Sequence, residues 1–152
     1  MSKTCREKTM KRYLLLTLAG LAIGFALPIF AQEQKTVDPK ARQEIEAIEA
    51  TCQDEHNNRD AAAIAALHTS DTVEVRSWQG LFSGQQAIQK MYEADFAKNP
   101  GKMANKILEM YQVGGDVCAI IDSNVGGTIV HVVRVYAPGF PTWKIRMTYV
   151  RF

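Results

Sequence analysis

The fold is decided by residues 105–151, which read NKILEMYQVGGDVCAIIDSNVGGTIVHVVRVYAPGFPTWKIRMTYVR. Four segments rich in apolar and β-branched residues alternate here with short runs of Gly, Asn, Asp and Pro. The segments are Asn105 to Val113, Val117 to Ser123, Thr128 to Tyr136 and Trp143 to Arg151. The runs between them suit hairpin connections. The stretch therefore predicts four consecutive strands in an antiparallel meander.

The sequence before this stretch predicts a long first helix. Asp38-Pro39 is typical of a helix start, with Asp as the N-cap and Pro at the first helical position. The helical pattern continues to about Asn58. One stripe of this helix is expected to be buried, while Glu49 is assigned to another face; the stripe contains Ala41, Ile45, Ile48, Cys52 and His56.

Two more helices and one strand are predicted between this helix and the meander. Asp60 is expected to cap a short helix that ends at Leu67. The segment Asp71 to Arg76 alternates apolar and polar residues as a half-buried strand does, and Gln79-Gly80 offers a turn. Ser83 and Gln86 have the spacing of a capping box before a third helix that ends ahead of Asn99.

This order of elements indicates an α+β fold. A curved antiparallel sheet can bury one face against the three N-terminal helices and leave an open end. We therefore expect a cone-shaped sheet wrapped against the helices. The length of 152 residues suits one such domain and is too short for two.

Residues 1–31 have the three parts of a secretory signal peptide. A basic start precedes an apolar run from Leu14 to Leu27, and the small residue Ala31 precedes a polar segment. The expected organisation is a signal peptide at 1–31, a linker at 32–37 and one domain at 38–152. An uncleaved membrane anchor is the alternative, because Tyr13 to Ala31 approaches the length of a bilayer span. Cleavage would release a periplasmic or secreted protein that does not contact the membrane.

The charge distribution argues against a nucleic-acid partner. The formal net charge is +2, but the basic excess lies in the predicted signal peptide. The remaining chain carries 13 basic and 15 acidic residues. A nearly neutral, slightly acidic domain lacks the positive surface that binds a phosphate backbone.

Several sequence motifs resemble those of the SnoaL-like branch of the nuclear-transport-factor-2-like superfamily. They are Asn58-Arg59-Asp60 followed by an alanine-rich helix, Ser70-Asp71-Thr72-Val73, Gly80 to Ile88 with the sequence GLFSGQQAI, and Trp143-Lys144-Ile145. The likeness covers Pro39 to Phe152. It implies a cystatin-like roll similar in fold to ketosteroid isomerases, scytalone dehydratase and polyketide cyclases, and it implies a homodimer.

The resemblance does not carry over the chemistry of the ketosteroid isomerases. The tyrosine that stabilises an oxyanion in those relatives falls at Cys52, and the aspartate that moves the proton falls near Arg76. The second, protonated acid falls roughly at His131. Because all three residue types differ, that mechanism is not supported. The scaffold hosts catalytic and non-catalytic proteins, so the fold alone does not assign a function.

No motif predicts a metal or an organic cofactor. The histidines His56, His68 and His131 lack the spacing of a metal site, and paired-cysteine motifs are absent from the sequence. The sequence also lacks a nucleophile elbow, a phosphate-binding loop and a dinucleotide fingerprint. Cys52 and Cys118 would remain after signal cleavage, either as one disulfide or as two buried thiols.

The main candidate for chemistry is His131. It shares strand parity with Ile129, Val133 and Val135, so it is predicted to face the interior as an acid or base or, alternatively, as a hydrogen-bonded core residue. Arg76 is predicted either to pair with Glu74 in solvent or to fix an anion at the mouth of a pocket.

Six residues are predicted to line the pocket: Cys52, His56, Arg76, Trp78, Met147 and Tyr149. Cys52 and His56 are four residues apart on one helix and can touch, either as inert packing or as a thiolate–imidazole pair. Met147 and Tyr149 share one face of the last strand with Trp143 and Ile145 and are expected to supply core and cavity wall.

Two functions remain open at the level of sequence. The first is an exported protein that binds or transforms a small, partly apolar molecule, with metal-free proton transfer such as isomerisation, dehydration or cyclisation as its chemistry. The second is a non-catalytic, homodimeric association module whose cavity is filled by side chains. The second interpretation also requires a fixed internal partner for His131.

Overall fold

The computed structural model describes residues 36–152. The predicted signal peptide at 1–31 and residues 32–35 of the predicted linker lie outside the described residues. The last residue of the predicted linker, Val37, is buried and packs in the core. Between residues 36 and 152, no helix has the length and apolar character needed to cross a membrane.

Three helices and six strands make up this part of the chain. They follow in the order α1 (Pro39–Asn58), α2 (Ala61–Ala66), β1 (His68–Arg76), β2 (Gly80–Ser83), α3 (Gln85–Phe96), β3 (Met103–Val113), β4 (Asp116–Val125), β5 (Thr128–Ala137) and β6 (Lys144–Arg151). The predicted α+β class is confirmed. Only β2 was not predicted.

Local sequence explains the limits of α1. The Asp38 side chain accepts hydrogen bonds from the backbone amides of Lys40 (3.0 Å) and Ala41 (3.1 Å), and Pro39 begins the helix. Capping of this kind satisfies amides that have no partner within the helix. Arg59 ends the helix in a left-handed conformation with φ of 62°. The predicted helix from Pro39 to about Asn58 is therefore confirmed.

The six strands form one sheet in the order β2-β1-β6-β5-β4-β3. The predicted meander is confirmed, since β3 to β6 pair successively and antiparallel. β6 also pairs with β1, in parallel, and thereby joins the meander to the earlier part of the chain. Register shifts occur in the β1–β6, β3–β4 and β5–β6 pairs. Such irregularities bend a sheet, and the sheet is curved and unclosed.

The start of α3 differs from the predicted capping box. Gly84 is the N-cap, with φ of 82°, and among the described residues no side chain caps this end of the helix. Ser83 instead ends β2, where it pairs with Val73 of β1. Glycine adopts a positive φ readily, so Gly84 allows the tight turn from β2 to α3.

The buried apolar side chains form two groups. One group joins α1 to strands β3 to β6 and includes Ile45, Val117, Ile121, Tyr136 and Ile145. The other joins α1, α2 and α3 and includes Cys52, Ile64, Ile88, Tyr92 and Phe96. Burial of each large apolar side chain contributes roughly 1.5 to 3 kcal/mol. The helices are therefore held on one face, and no helix of the described part of the chain covers the opposite face of the sheet.

Candidate functional site

A cavity of about 300 Å³ lies between the inner face of the sheet and helices α1 and α3. Its walls are largely apolar and include Met103, Val125, Val130, Val132 and Val150. Trp78 and Phe152 stack near the mouth with their ring centroids 4.1 Å apart. A mostly apolar concavity with a few polar groups is typical of a small-molecule site.

One cluster of polar side chains in the cavity is centred on Arg76. Its Nε donates to Glu74 Oε1 over 2.6 Å, and its Nη1 donates to Gln79 Oε1 over 3.1 Å and pairs with Asp95. Burial alone would lower the pKa of Arg76, but the negative charge of Glu74 raises it above its ordinary value. The guanidinium also lies over the Tyr92 ring, 5.1 Å from its centroid. The predicted solvent-facing Glu74–Arg76 pair is therefore wrong, because both side chains are buried.

A second polar group is built around Arg134 of β5. Arg134 Nη1 donates to Glu49 Oε1, and the Tyr136 hydroxyl donates to the same oxygen. Asn105 Nδ2 donates to Glu49 Oε2 over 2.9 Å, and Ser123 Oγ donates to Asn105. Burial alone would lower the pKa of Arg134, but the adjacent Glu49 raises it well above its ordinary value. The group is a buried ion pair with three donors on one carboxylate.

Three buried polar residues lie side by side across the centre of the sheet. Thr148 of β6 is in register with Glu74 of β1 on one side and with Arg134 of β5 on the other. Glu74 Oε2, Thr148 Oγ1 and Arg134 Nε each lack a hydrogen-bond partner among the described residues. Unpartnered buried polar atoms are rare and costly. Glu74 and Arg134 both line the cavity, so this row marks its polar side.

Two further ionisable residues of the cavity are neutral. Burial lowers the pKa of His56, and burial raises the pKa of Tyr92. His56 contacts the Phe96 ring edge-on at 5.1 Å between centroids, and its Nδ1 lacks a partner within residues 36–152. A neutral imidazole and a neutral phenol thus face the same space as the Glu74 carboxylate.

Cys52 lies on the inner face of α1 but does not line the cavity. Burial raises the pKa of its thiol to about 11, which opposes a thiolate–imidazole pair with His56. Within residues 36–152, Cys52 and Cys118 are both free thiols. They cannot pair, because the neighbours of Cys118 on β4, Val117 and Ala119, are the residues that face the interior.

The inward orientation predicted for His131 is wrong. Val130, Val132 and Arg134 are the inner residues of β5, and the His131 side chain is 63% exposed on the outer face. There its Nδ1 lies 2.8 Å from Asp122 of the neighbouring strand. Both faces of β5 carry apolar residues, so the alternation in the sequence did not distinguish them, and a shift of one residue exchanges the faces.

The cavity positions predicted for Met147 and Tyr149 are also wrong. Their exposed fractions are 43% and 37%, and they lie on the outer face, whereas Ile145, Thr148 and Val150 point inward. The register shift between β5 and β6 falls in this segment, where Tyr136 pairs with Ile145 and Val135 with Met147. Such a bulge reverses the alternation within one strand. The predicted shared face of Ile145, Met147 and Tyr149 is thus divided.

Of the other predicted residues, His56, Arg76 and Trp78 line the cavity together. The residues that sequence reasoning missed are Glu49, Glu74, Tyr92, Asp95 and Arg134. Glu49 had a usable signal, since it lies four residues after Ile45 and three before Cys52, both on the buried stripe. Within residues 36–152, no group of three or more His, Cys, Asp or Glu side chains is close enough to hold a metal ion.

Solved structures, and not sequence comparisons, identify the fold of this chain. No protein-family profile matches the chain, and no curated protein matches it. A domain of unknown function with a cystatin-like fold from Nostoc punctiforme is similar over 74% of this chain and 77% of its own, with a TM-score of 0.66 and 14% identity.

Two other solved structures carry names that bear on function. One is a candidate dehydratase of the NTF2-like family from Streptomyces avermitilis, with a TM-score of 0.63 and 11% identity over 73% of this chain and 95% of its own. The other is a candidate calcium/calmodulin-dependent protein kinase type II association domain from Thiobacillus denitrificans, with a TM-score of 0.60 and 15% identity over 69% and 91%. At these identities the likeness concerns the fold, and the chain has the cystatin-like fold of the NTF2-like proteins.

Proposed function

We propose that the protein binds a small, partly apolar organic molecule in the cavity between the sheet and helices α1 and α3. The observation that carries this proposal is the cavity itself, about 300 Å³ in volume, with valine walls and buried ionisable groups on one side. Side chains that merely filled the interior would leave neither this space nor a row of unpartnered polar atoms. Buried polar atoms of this kind favour a ligand with polar groups at one end.

If the bound molecule is transformed, the cavity supports proton transfer. Among the described residues, Glu74 has one carboxylate oxygen without a partner, and the neutral imidazole of His56 has an Nδ1 without a partner. Tyr92 is a neutral phenol able to donate a hydrogen bond. Acid–base groups of this type suit isomerisation, dehydration or cyclisation. His131 is not part of this chemistry, because it lies on the outer face.

The binding proposal is tested with a small-molecule library and a thermal-shift readout. A ligand that binds the native protein raises its unfolding temperature in proportion to occupancy. Val132→Phe places a larger side chain in the cavity, and Val133→Phe makes the same change at the adjacent, outward-facing position. The ligand-induced shift should disappear in the first variant and persist in the second. Equal shifts in both variants would contradict binding in this cavity.

A second candidate function is self-association through the outer face of the sheet. Large apolar side chains are exposed there on β5 and β6, namely Ile129, Val133, Met147 and Tyr149. Antiparallel sheets with one apolar uncovered face commonly bury it against a partner. The structural neighbour named as an association domain lends this proposal support from the fold alone. A homodimer is compatible with a ligand in the inner cavity, because the two surfaces lie on opposite faces of the sheet.

A further inference from the structure

Glu74 differs from the other charged residues of the cavity in having an oxygen available. Its Oε1 accepts from Arg76 Nε over 2.6 Å, whereas its Oε2 has no partner within residues 36–152. The residue lines the cavity and is only 1% exposed. A buried carboxylate oxygen without a donor is unfavourable by the desolvation of a charged group. A group that satisfies Glu74 Oε2 must therefore donate an N–H or O–H hydrogen bond.

The other carboxylates of the region are fully engaged. Asp95 contacts Arg76 and Gln79, and Lys98 lies 3.9 Å from it at the exposed edge. Glu49 accepts from Arg134, Tyr136 and Asn105. The two buried ionic groups thus hold three carboxylates and two guanidinium groups. Because Lys98 is largely exposed and screened by solvent, the interior carries a negative excess.

We propose that Glu74 selects the ligand of the cavity by accepting a hydrogen bond from a hydroxyl or ammonium group, and that the cavity rejects carboxylates. This inference rests on the proposed binding function. An anion would bring a second negative charge to the unpartnered oxygen of Glu74 in a site of low dielectric. A neutral or cationic donor supplies the missing hydrogen bond. Arg134 Nε, which also lacks a partner within residues 36–152 and belongs to a cavity-lining residue, can then donate to an acceptor on the ligand, such as the oxygen of an alcohol.

Four probes with one skeleton separate these contributions: the β-substituted naphthalenes naphthylmethanol, naphthylmethylamine, naphthoate and methylnaphthalene. Binding is measured by calorimetry or ligand-observed NMR on the purified protein. Naphthylmethanol, naphthylmethylamine or both should bind about tenfold or more tightly than naphthoate and methylnaphthalene, because a hydrogen bond to a charged group has that effect. The comparison of alcohol with amine identifies whether the donor is a hydroxyl or an ammonium group.

Two substitutions that remove the same charge test the role of the free oxygen. Glu74→Gln keeps the shape of the side chain but removes the charged acceptor, and the roughly tenfold preference for donors over naphthoate should vanish or invert. Asp95→Asn removes a carboxylate whose oxygens are already engaged, and the preference should remain within about threefold. A merely structural role of Glu74 would lower stability without changing the order of the probes.

The outcomes separate failure of this inference from failure of the proposed function. If naphthoate or methylnaphthalene binds wild-type protein as tightly as the donors, the inference is overturned while the binding function stands. If Asp95→Asn abolishes the preference as completely as Glu74→Gln, the free oxygen is not the selector. If none of the probes binds at millimolar concentration, both the inference and small-molecule binding in this cavity are overturned.

Discussion

Replacing Arg134 with Met would remove one half of a buried ion pair while keeping much of the side-chain volume. Arg134 and Glu49 are both almost completely buried, and in the described part of the chain Arg134 is the one cation that contacts Glu49. Tyr136 and Asn105 would still donate to the carboxylate, but its charge would be uncompensated. Breaking such a pair on one side costs about 3 to 5 kcal/mol. This is a large part of the total stability of a domain, roughly 5 to 15 kcal/mol.

Urea unfolding followed by tryptophan fluorescence measures the effect of Arg134→Met. The midpoint should fall strongly with little change in the slope, and the melting temperature should fall by on the order of 15 °C for a domain of this size. Glu49→Gln combined with Arg134→Met removes both charges and should recover part of the loss, so the double variant should lose less stability than the sum of the two single variants. A loss below about 1 kcal/mol in the single variant, or a double variant that recovers nothing, would refute the reasoning.

Four further predictions concern other parts of the molecule. Burial lowers the pKa of His68 to about 4, whereas the histidine of the unfolded chain takes up a proton near pH 6.5. The free energy of unfolding should therefore be highest above pH 6.5 and fall by about 2 kcal/mol by pH 5. Urea unfolding at both pH values should show this loss, reduced in His68→Asn. The phenylalanine variant of His131 should leave ligand binding unchanged, since this exposed residue faces away from the cavity; weakened binding would argue against the two-face arrangement. Tyr149→Glu, on the exposed apolar face, should convert the proposed homodimer to a monomer in sedimentation, whereas a wild-type monomer at all concentrations would contradict the dimer. Intact-mass measurement should show that exported material begins at Gln32. A mass that retains residues 1–31, found in the membrane fraction, would favour the uncleaved membrane anchor.

The elements of this fold were predictable where their signals are local. Asp38 and Pro39 lie next to each other, and the cap they form depends on no distant residue. The turns of the meander are likewise encoded by short runs, such as Gly114-Gly115, between apolar segments. Element type and order follow from such signals, because capping and turn geometry are properties of a few consecutive residues.

The composition of the cavity was less predictable because it depends on long-range pairing. Arg134 can be buried in β5 only because Glu49 reaches it from α1, 85 positions earlier in the chain. Nothing near Arg134 in the sequence indicates that partner, so an inward His131 was the simpler expectation. The bulge in β6 had a similar effect on Met147 and Tyr149. Facing and register within strands whose two sides are both apolar are decided by tertiary contacts.

The place of β6 between β1 and β5 has a consequence for how the protein folds. In the sheet formed by residues 36–152, backbone hydrogen bonds join the two sides of the cavity, Glu74 on β1 and Arg134 on β5, only through this strand. The β1–β6 contact closes a loop of roughly 70 residues, and non-local closure of this kind slows folding. A partly folded chain with an intact hairpin β4–β5 would therefore still lack a binding site. We therefore expect the amide protons of β6 to exchange only on global unfolding. The cavity would then exist in the fully native protein and in no partly unfolded form of it.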